Sequence, residues 1–322
     1  MYPSLLSAVV IITLAGSGLC DTPSTNTLNI ETIHHFSTNI SLENLVVRRT
    51  GEIIVGFDNF PTIYQIEPEI NGTATYIHTF EGYVDIHGMV EVTPDQFMVT
   101  TGNLSLVTHI DVPGSCSVWH VNMTGFPEHL EVKKVADFAD SRILNGMALL
   151  DEEKGLVYVA DSRVGVVNIL NVNTGEHFVA INNSLTNQPP GDCQRYLYFS
   201  NFAQGIIGRV PIDENGLPEG DAEVVVSGLN TPEDFVLDKA GNIFLALFES
   251  NEVIRIDGET KEITVLAGSP DSSTYKWASA VEFGRRRSDK SDLYFAINGG
   301  FLEPDNVGGA LFRIPLGDLT VV

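Results

Sequence analysis

The 322-residue chain carries 18 lysines and arginines against 42 aspartates and glutamates, a formal charge of −24. That balance excludes unaided nucleic-acid binding and disfavours anionic membranes, because displacing counterions from phosphate takes clustered cations and the dense cluster here is only Arg285, Arg286 and Arg287. With 43% hydrophobic and 19% charged residues, the composition is globular, and a chain of this length can bury roughly three quarters of its unfolded surface.

Leu5 to Leu19 form one uncharged stretch, short of the roughly 20 apolar residues a bilayer span needs. Its length and the small residues Gly16, Ser17 and Gly18 predict a secretory signal peptide over residues 1–20. The segment before Leu5 has no side-chain cation, so an N-terminal core helix or an uncleaved anchor is the alternative. Sequons at Asn39, Asn71, Asn103, Asn122 and Asn182 predict glycosylation in the secretory pathway, with a secreted or vesicular destination and no membrane contact after leader cleavage. Cys116 and Cys193 would remain in the mature chain, either as one disulfide or as two buried thiols.

From residue 28 onward, short β-branched and aromatic runs recur between Gly- and Pro-rich turns. Six segments superimpose without gaps, beginning at Glu52, Gln96, Leu156, Tyr196, Asn242 and Asp292. Their third positions run from Ile54 to Tyr294, a mean spacing of 48 residues, which suits a four-stranded propeller blade. A second strand follows each, beginning at Ile63, Ser117, Val166, Ile206, Glu252 and Ala310. A strand also precedes five of them, beginning at Leu42, Ile86, Leu144, Pro232 and Ala278. The expected fold is therefore all-β, one six-bladed β-propeller domain over residues 21–322, with a strand near Leu28 to Phe36 completing the last blade. A β-sandwich is the alternative, disfavoured because its turns rarely keep so regular a period. In the fourth repeat the place of the inner strand falls on Asn187 to Arg195, where Pro189 and Pro190 lack amide donors, so blade four is expected to lack a regular inner strand.

Aligning the inner strands puts Glu43 and Asn44, His87, Asn145, Glu233 and Asp234, and Ser279 at equivalent heights on one rim. Converging polar and ionisable groups of this kind mark a candidate site. Loops above the same rim would add Phe57, Asp58, Asp161, Asn201, Phe202, Phe248, Asn298 and Phe301, a mixture that suits an amphiphilic organic ligand. Packing of those rings against neighbouring loops is the alternative. The arginine triplet after Glu282 is read as a solvated basic loop. No nucleophile elbow, P-loop or dinucleotide fingerprint occurs.

The segments LENLVVR from Leu42, LNGMALL from Leu144 with VADS from Val159, YLYFSN from Tyr196 with RVPID from Arg209, EDFVLDKAGN from Glu233, VLAG from Val265 and FGR from Phe283 resemble, in order, the fungal secreted branch of the gluconolactonase and senescence-marker-like six-bladed propellers. The resemblance runs from about Phe36 to the C-terminus. For the lactonases of that superfamily it implies a calcium or zinc ion at the channel mouth, with Glu43, Asn145 and Glu233 or Asp234 at the matching ligand positions. The blade-four asparagine falls in the segment this chain lacks, so the expected set is no metal, with Glu43, Asn145 and Asp234 as the alternative. The same branch includes the hetero-Diels-Alderases of tropolone sesquiterpenoid pathways. This resemblance implies an enzyme that needs no cofactor, dehydrates a hydroxymethyl-tropolone-type polyketide to a quinone methide and guides its cycloaddition to a humulene-type terpenoid.

Dehydration needs an acid and a base, for which Glu43, His87, Glu233 and Asp234 are the candidates. Asn44, Asn145, Phe57, Asp161, Asn201, Phe202, Phe248 and Ser279 would bind the substrate. A metal-dependent lactonase and a non-catalytic secreted binding protein are the alternatives.

Overall fold

The computed structural model describes residues 28–182 and 195–320, together with the backbone of Ile11–Thr13. The described residues form six four-stranded antiparallel sheets, one small two-stranded sheet and a single 3-10 turn at Gly317–Leu319. From the channel outward, blade one is Leu42–Val47, Ile53–Phe57, Thr62–Glu67 and Thr73–Thr79. Blade two begins with Asp85–Thr93 and Gln96–Gly102, blade three with Leu144–Asp151 and Leu156–Asp161, and blade five with Pro232–Leu237 and Ile243–Leu247. Blade six runs Ala278–Phe283, Asp292–Ile297 and Ala310–Pro315, and its outer strand is Glu31–His35, paired antiparallel with Ala310–Arg313. The propeller, its period and its closing N-terminal strand are thus as the repeats predict.

The second strand of each blade reads as a continuous apolar run because a neighbouring blade packs on each of its faces. Ile53–Phe57 and Ile243–Leu247 are buried at every position. Outer strands alternate instead, as in Glu131–Phe138, where one face meets water. Six apolar clusters result, one in each interface between adjacent blades; Leu42, Val55 and Phe57 of blade one, for example, pack on Ala280, Tyr294 and Leu311 of blade six. Near the axis the approach is close enough to require glycine at Gly88, where a Cβ would lie 2.0 Å from the Asn145 carbonyl oxygen.

Blade four departs from the others as expected, in a specific way. Its local sequence contributes Arg195–Asn201, Ile206–Ile212 and Glu223–Ser227, and the inner position is taken by Ile11–Thr13, paired antiparallel with Tyr196–Tyr198; this strand lies within the stretch expected to be a signal peptide, so it extends the sheet beyond the expected domain bounds of 21–322. Pro189, Pro190 and Cys193 lie outside the described residues. Cys116 is buried, with its thiol facing the Arg142 carbonyl at 3.4 Å.

The arginine triplet is solvent-accessible, as its reading as a basic loop implies, but two of its members are also tied to neighbouring blades. Arg285 binds the Glu91 carboxylate and donates to the Val47 carbonyl at 3.1 Å, while Arg286 binds the Thr50 carbonyl and Glu52 Oε1, the latter at 3.0 Å. The first two arginines therefore staple blade six to blades one and two, although Arg285 is still exposed at the channel mouth, as is Arg287.

Candidate functional site

Five inner strands share one irregularity. Strand pairing slips between Leu42 and Asn44, Ile86 and Met89, Leu144 and Met147, Pro232 and Phe235, and Ala278 and Ala280. Each slip inserts an extra residue relative to the second strand, a β-bulge that unpairs backbone and re-aims side chains. The residues inside the bulges are Glu43, His87, Asn145, Glu233 with Asp234, and Ser279, so the rim aligned from the sequence coincides with a ring of bulges.

Above that ring sits a compact ionisable cluster. His87 Nδ1 lies 3.4 Å from Glu43 Oε1, and Nε2 lies 3.8 Å from Asp85 Oδ1. Asp85 also accepts the Leu104 main-chain N–H, while Asp58 Oδ2 accepts the Asn298 side-chain amide at 3.0 Å. His87 Nε2 and Asp58 Oδ1 are buried without a hydrogen-bond partner among the described residues. Burial pushes the imidazole pKa down, but the Glu43 hydrogen bond and the charges of Asp85, Glu43 and Asp58 outweigh it and raise it to about 9. Burial and the Glu43 charge raise Asp58 to about 8, and burial raises Asp85. At neutral pH an imidazolium therefore sits among carboxyl groups, one of which is kept protonated.

Below the ring, the channel widens into a cavity of about 400 Å³. Its walls are polar and apolar in nearly equal measure: the apolar side chains include Leu45, Met89, Leu149, Phe235, Val281 and Phe283, and the polar ones are Asn44, Asp234, Glu91, Glu282 and Arg285. Asn44 Nδ2 donates to Asp234 Oδ2 at 2.7 Å at the upper end. Burial, reinforced by the charge of Glu43, holds the Asp234 pKa well above the usual carboxylate range. Burial raises Glu282 to about 7 against the opposing Arg285 charge, and Glu282 Oε2 accepts the Val47 N–H at 3.1 Å.

Of the residues predicted for the site, Asn44 and Asp234 line this cavity. Glu43 and His87 belong to the cluster above it, and Glu233 and Asn145 are buried in their bulges, each with contacts of its own. Ser279 donates to the Leu42 carbonyl at 3.0 Å and ties blade six to blade one. Phe57 is 1% exposed and packs edge-on against Phe36, so it belongs to the blade core. The Asp161 carboxylate caps a turn, accepting main-chain N–H groups of Arg142, Ile143, Arg163 and Val164, and Asn201 Oδ1 accepts that of Gln204. Phe202 and Phe248 do meet, with ring centroids 6.1 Å apart, and Phe248 stacks on Trp277 at 5.0 Å. Glu91, Glu282 and Arg285 are cavity residues that the rim alignment did not reach, because they lie at the lower ends of the inner strands.

Two members of the alternative metal set, Glu43 and Asp234, are engaged by other side chains. Glu43 faces His87 and Asp234 accepts from Asn44, and among the described residues no three His, Cys, Asp or Glu side chains are placed to hold an ion. An imidazolium at this point disfavours a second cation.

No family model matches the chain. In structure it is similar to a luciferin-regenerating enzyme, with a TM-score of 0.65 at 14% identity over 89% of this chain and 95% of that one. It is equally similar to the calcium-binding protein regucalcin of Agrobacterium tumefaciens, with a TM-score of 0.65 at 16% identity over 90% and 94% of the two chains. The fold is the one these proteins share. In sequence it is 23% identical to a Phoma sp. protein named "Putative hetero-Diels-Alderase", over 91% of this chain and 94% of the relative.

Proposed function

We propose that the chain is a small-molecule enzyme of the hetero-Diels-Alderase type, which dehydrates a hydroxymethyl-tropolone-type precursor in the central channel and joins the quinone methide to a humulene-type alkene. The observation that carries this reading is an amphiphilic channel cavity of about 400 Å³ that holds two carboxyl groups with raised pKa, Asp234 and Glu282. Its size is that of a small-molecule pocket. The similarity of the Phoma sp. relative supports the reaction class.

Asp234, with Oδ2 bound to Asn44, keeps its proton on Oδ1 and donates it to the departing hydroxyl, which leaves as water. Glu282, with Oε2 bound to the Val47 N–H, takes the ring hydroxyl proton on Oε1. The two transfers amount to loss of one water, and solvent returns the proton from Glu282 to Asp234 between turnovers. Cycloaddition then forms one C–O and one C–C bond without moving a proton, so the protein need only hold the two partners together in the cavity. Phe235, Met89, Leu149 and Val281 provide those walls.

The test is incubation of purified protein with the precursor and the alkene, followed by chiral product analysis. A single enantiomeric adduct formed faster than in buffer is expected. Racemic adduct at the buffer rate would leave a binding protein, and lactone hydrolysis dependent on added calcium or zinc would favour the metal-dependent alternative.

A further inference from the structure

Arg285 is the one basic side chain among the described residues lining the cavity, in a chain with a formal charge of −24. It leaves the inner strand of blade six at the lower mouth, at the opposite end of the cavity from the Asn44–Asp234 pair. Its Nη1 is anchored from behind by the Glu91 carboxylate and the Val47 carbonyl. Glu91 is fixed in turn, because it accepts the Asp95 N–H at 2.9 Å, and its side chain is 3% exposed. The guanidinium is thus held by one nitrogen, and Nε and Nη2 make no hydrogen bond among the described residues. A planar fork with two unused donor nitrogens matches two oxygens in one plane.

We infer that Arg285 forms an oxyanion-binding subsite that orients the substrate by a planar, delocalised oxygen pair, such as the enolate of a vinylogous acid or a carboxylate. The subsite rests on the reading of the channel as the substrate site and adds the class of group recognised and the direction in which the substrate enters. The acidic oxygens point to Arg285 at the lower mouth and the reacting carbon points up toward Asp234. Glu282 lies beside the subsite and lines the same wall. Once Glu282 has taken the ring-hydroxyl proton it can donate that proton in a hydrogen bond to the oxyanion formed, which Arg285 holds, whereas an ionised carboxylate beside that anion would repel it.

The experiment measures binding calorimetrically, with no alkene present. The probe is tropolone, compared with its neutral methyl ether. The wild-type protein should bind tropolone at least about tenfold more tightly than the ether, the size of effect one charge-assisted contact gives. Arg285→Met should erase that preference, Arg285→Lys should keep part of it, and Arg287→Met, on the exposed neighbour, should leave it intact. Equal affinity of the wild type for tropolone and its ether would overturn the subsite without reference to any variant, so a poorly folded Arg285→Met cannot rescue it. An unchanged preference in a folded Arg285→Met would also overturn it. Preference for tropolone with no adduct formed would keep the subsite and refute the reaction; adduct formation by wild type and Arg285→Met at equal rates and affinities would do the reverse.

Discussion

Asn44 of blade one and Asp234 of blade five are hydrogen-bonded at 2.7 Å although blade six stands between them in the ring. The contact is a bridge across the top of the channel, made possible because bulges in both strands turn these side chains inward. An amide donor favours the ionised carboxylate, but desolvation and the Glu43 charge outweigh it, so the proton stays. Asp234→Asn keeps the shape and removes the transferable proton. It should lower kcat by about 100-fold or more with little change in KM. Asn44→Ala should cost about tenfold or less, because it orients the acid without exchanging a proton. Steady-state kinetics on both variants checks the order.

Activity should survive chelation. Glu43 and Asp234, two of the three alternative ligands, are already engaged by His87 and Asn44. Turnover after EDTA treatment, measured with and without added calcium or zinc, should be the same within error.

Stability should fall on the alkaline side through His87. Its pKa is raised from 6.5 to about 9 in the folded chain, so the stabilisation is fully present below pH 6.5 and is lost as pH rises through 9. The shift corresponds to roughly 3 kcal/mol, or several degrees in Tm. Thermal unfolding from pH 6 to 10 should show this step in the wild type and not in His87→Gln.

Gly88→Ala should destabilise the fold by about 2 kcal/mol or more, because the new Cβ meets the Asn145 carbonyl oxygen at 2.0 Å and the two inner strands must separate. A lower denaturant midpoint with an unchanged slope would be the signature.

Passage through the secretory pathway remains our proposal, and the exposed positions of Asn39, Asn71 and Asn182 suit it. Enzymatic deglycosylation of protein expressed in a secreting host should lower its mass, and Asn-to-Gln changes at these three positions should remove most of the difference.

The fold was legible because its signal is repeated: the positions of Ile54, Met98, Tyr158, Tyr198, Phe244 and Tyr294 all lie in second strands, five of them buried and Tyr198 half-buried. The rim was legible for the same reason, since Glu43, His87 and Glu233 occupy equivalent offsets. The direction of each side chain was not. A bulge shifts a residue from one face to the other without marking the sequence, so Glu43 and His87 rise into the upper cluster while Asp234 enters the cavity. Asp161 looked equivalent to the rim residues, yet its carboxylate is consumed by the backbone of Arg142 and Ile143, and that partnership depends on how two loops meet. Glu282 passed unnoticed because an acidic residue before three arginines reads as surface, whereas the twist of the inner strand carries it to the axis.

The pairing of Glu31–His35 with Ala310–Arg313 has a consequence for biogenesis. Glu31 and Arg313 also form an ion pair across 282 residues of sequence. Among the first residues of the ring to leave the ribosome, Glu31–His35 must therefore wait for nearly the last. Until then the nascent chain is an open arc with an unpaired edge at each end, and closure is limited by a contact of very high sequence separation. Once made, that clasp joins Glu31–His35 and Ala310–Pro315 in one sheet, so a force applied to the chain at either of these strands has to break blade six before it can open the ring.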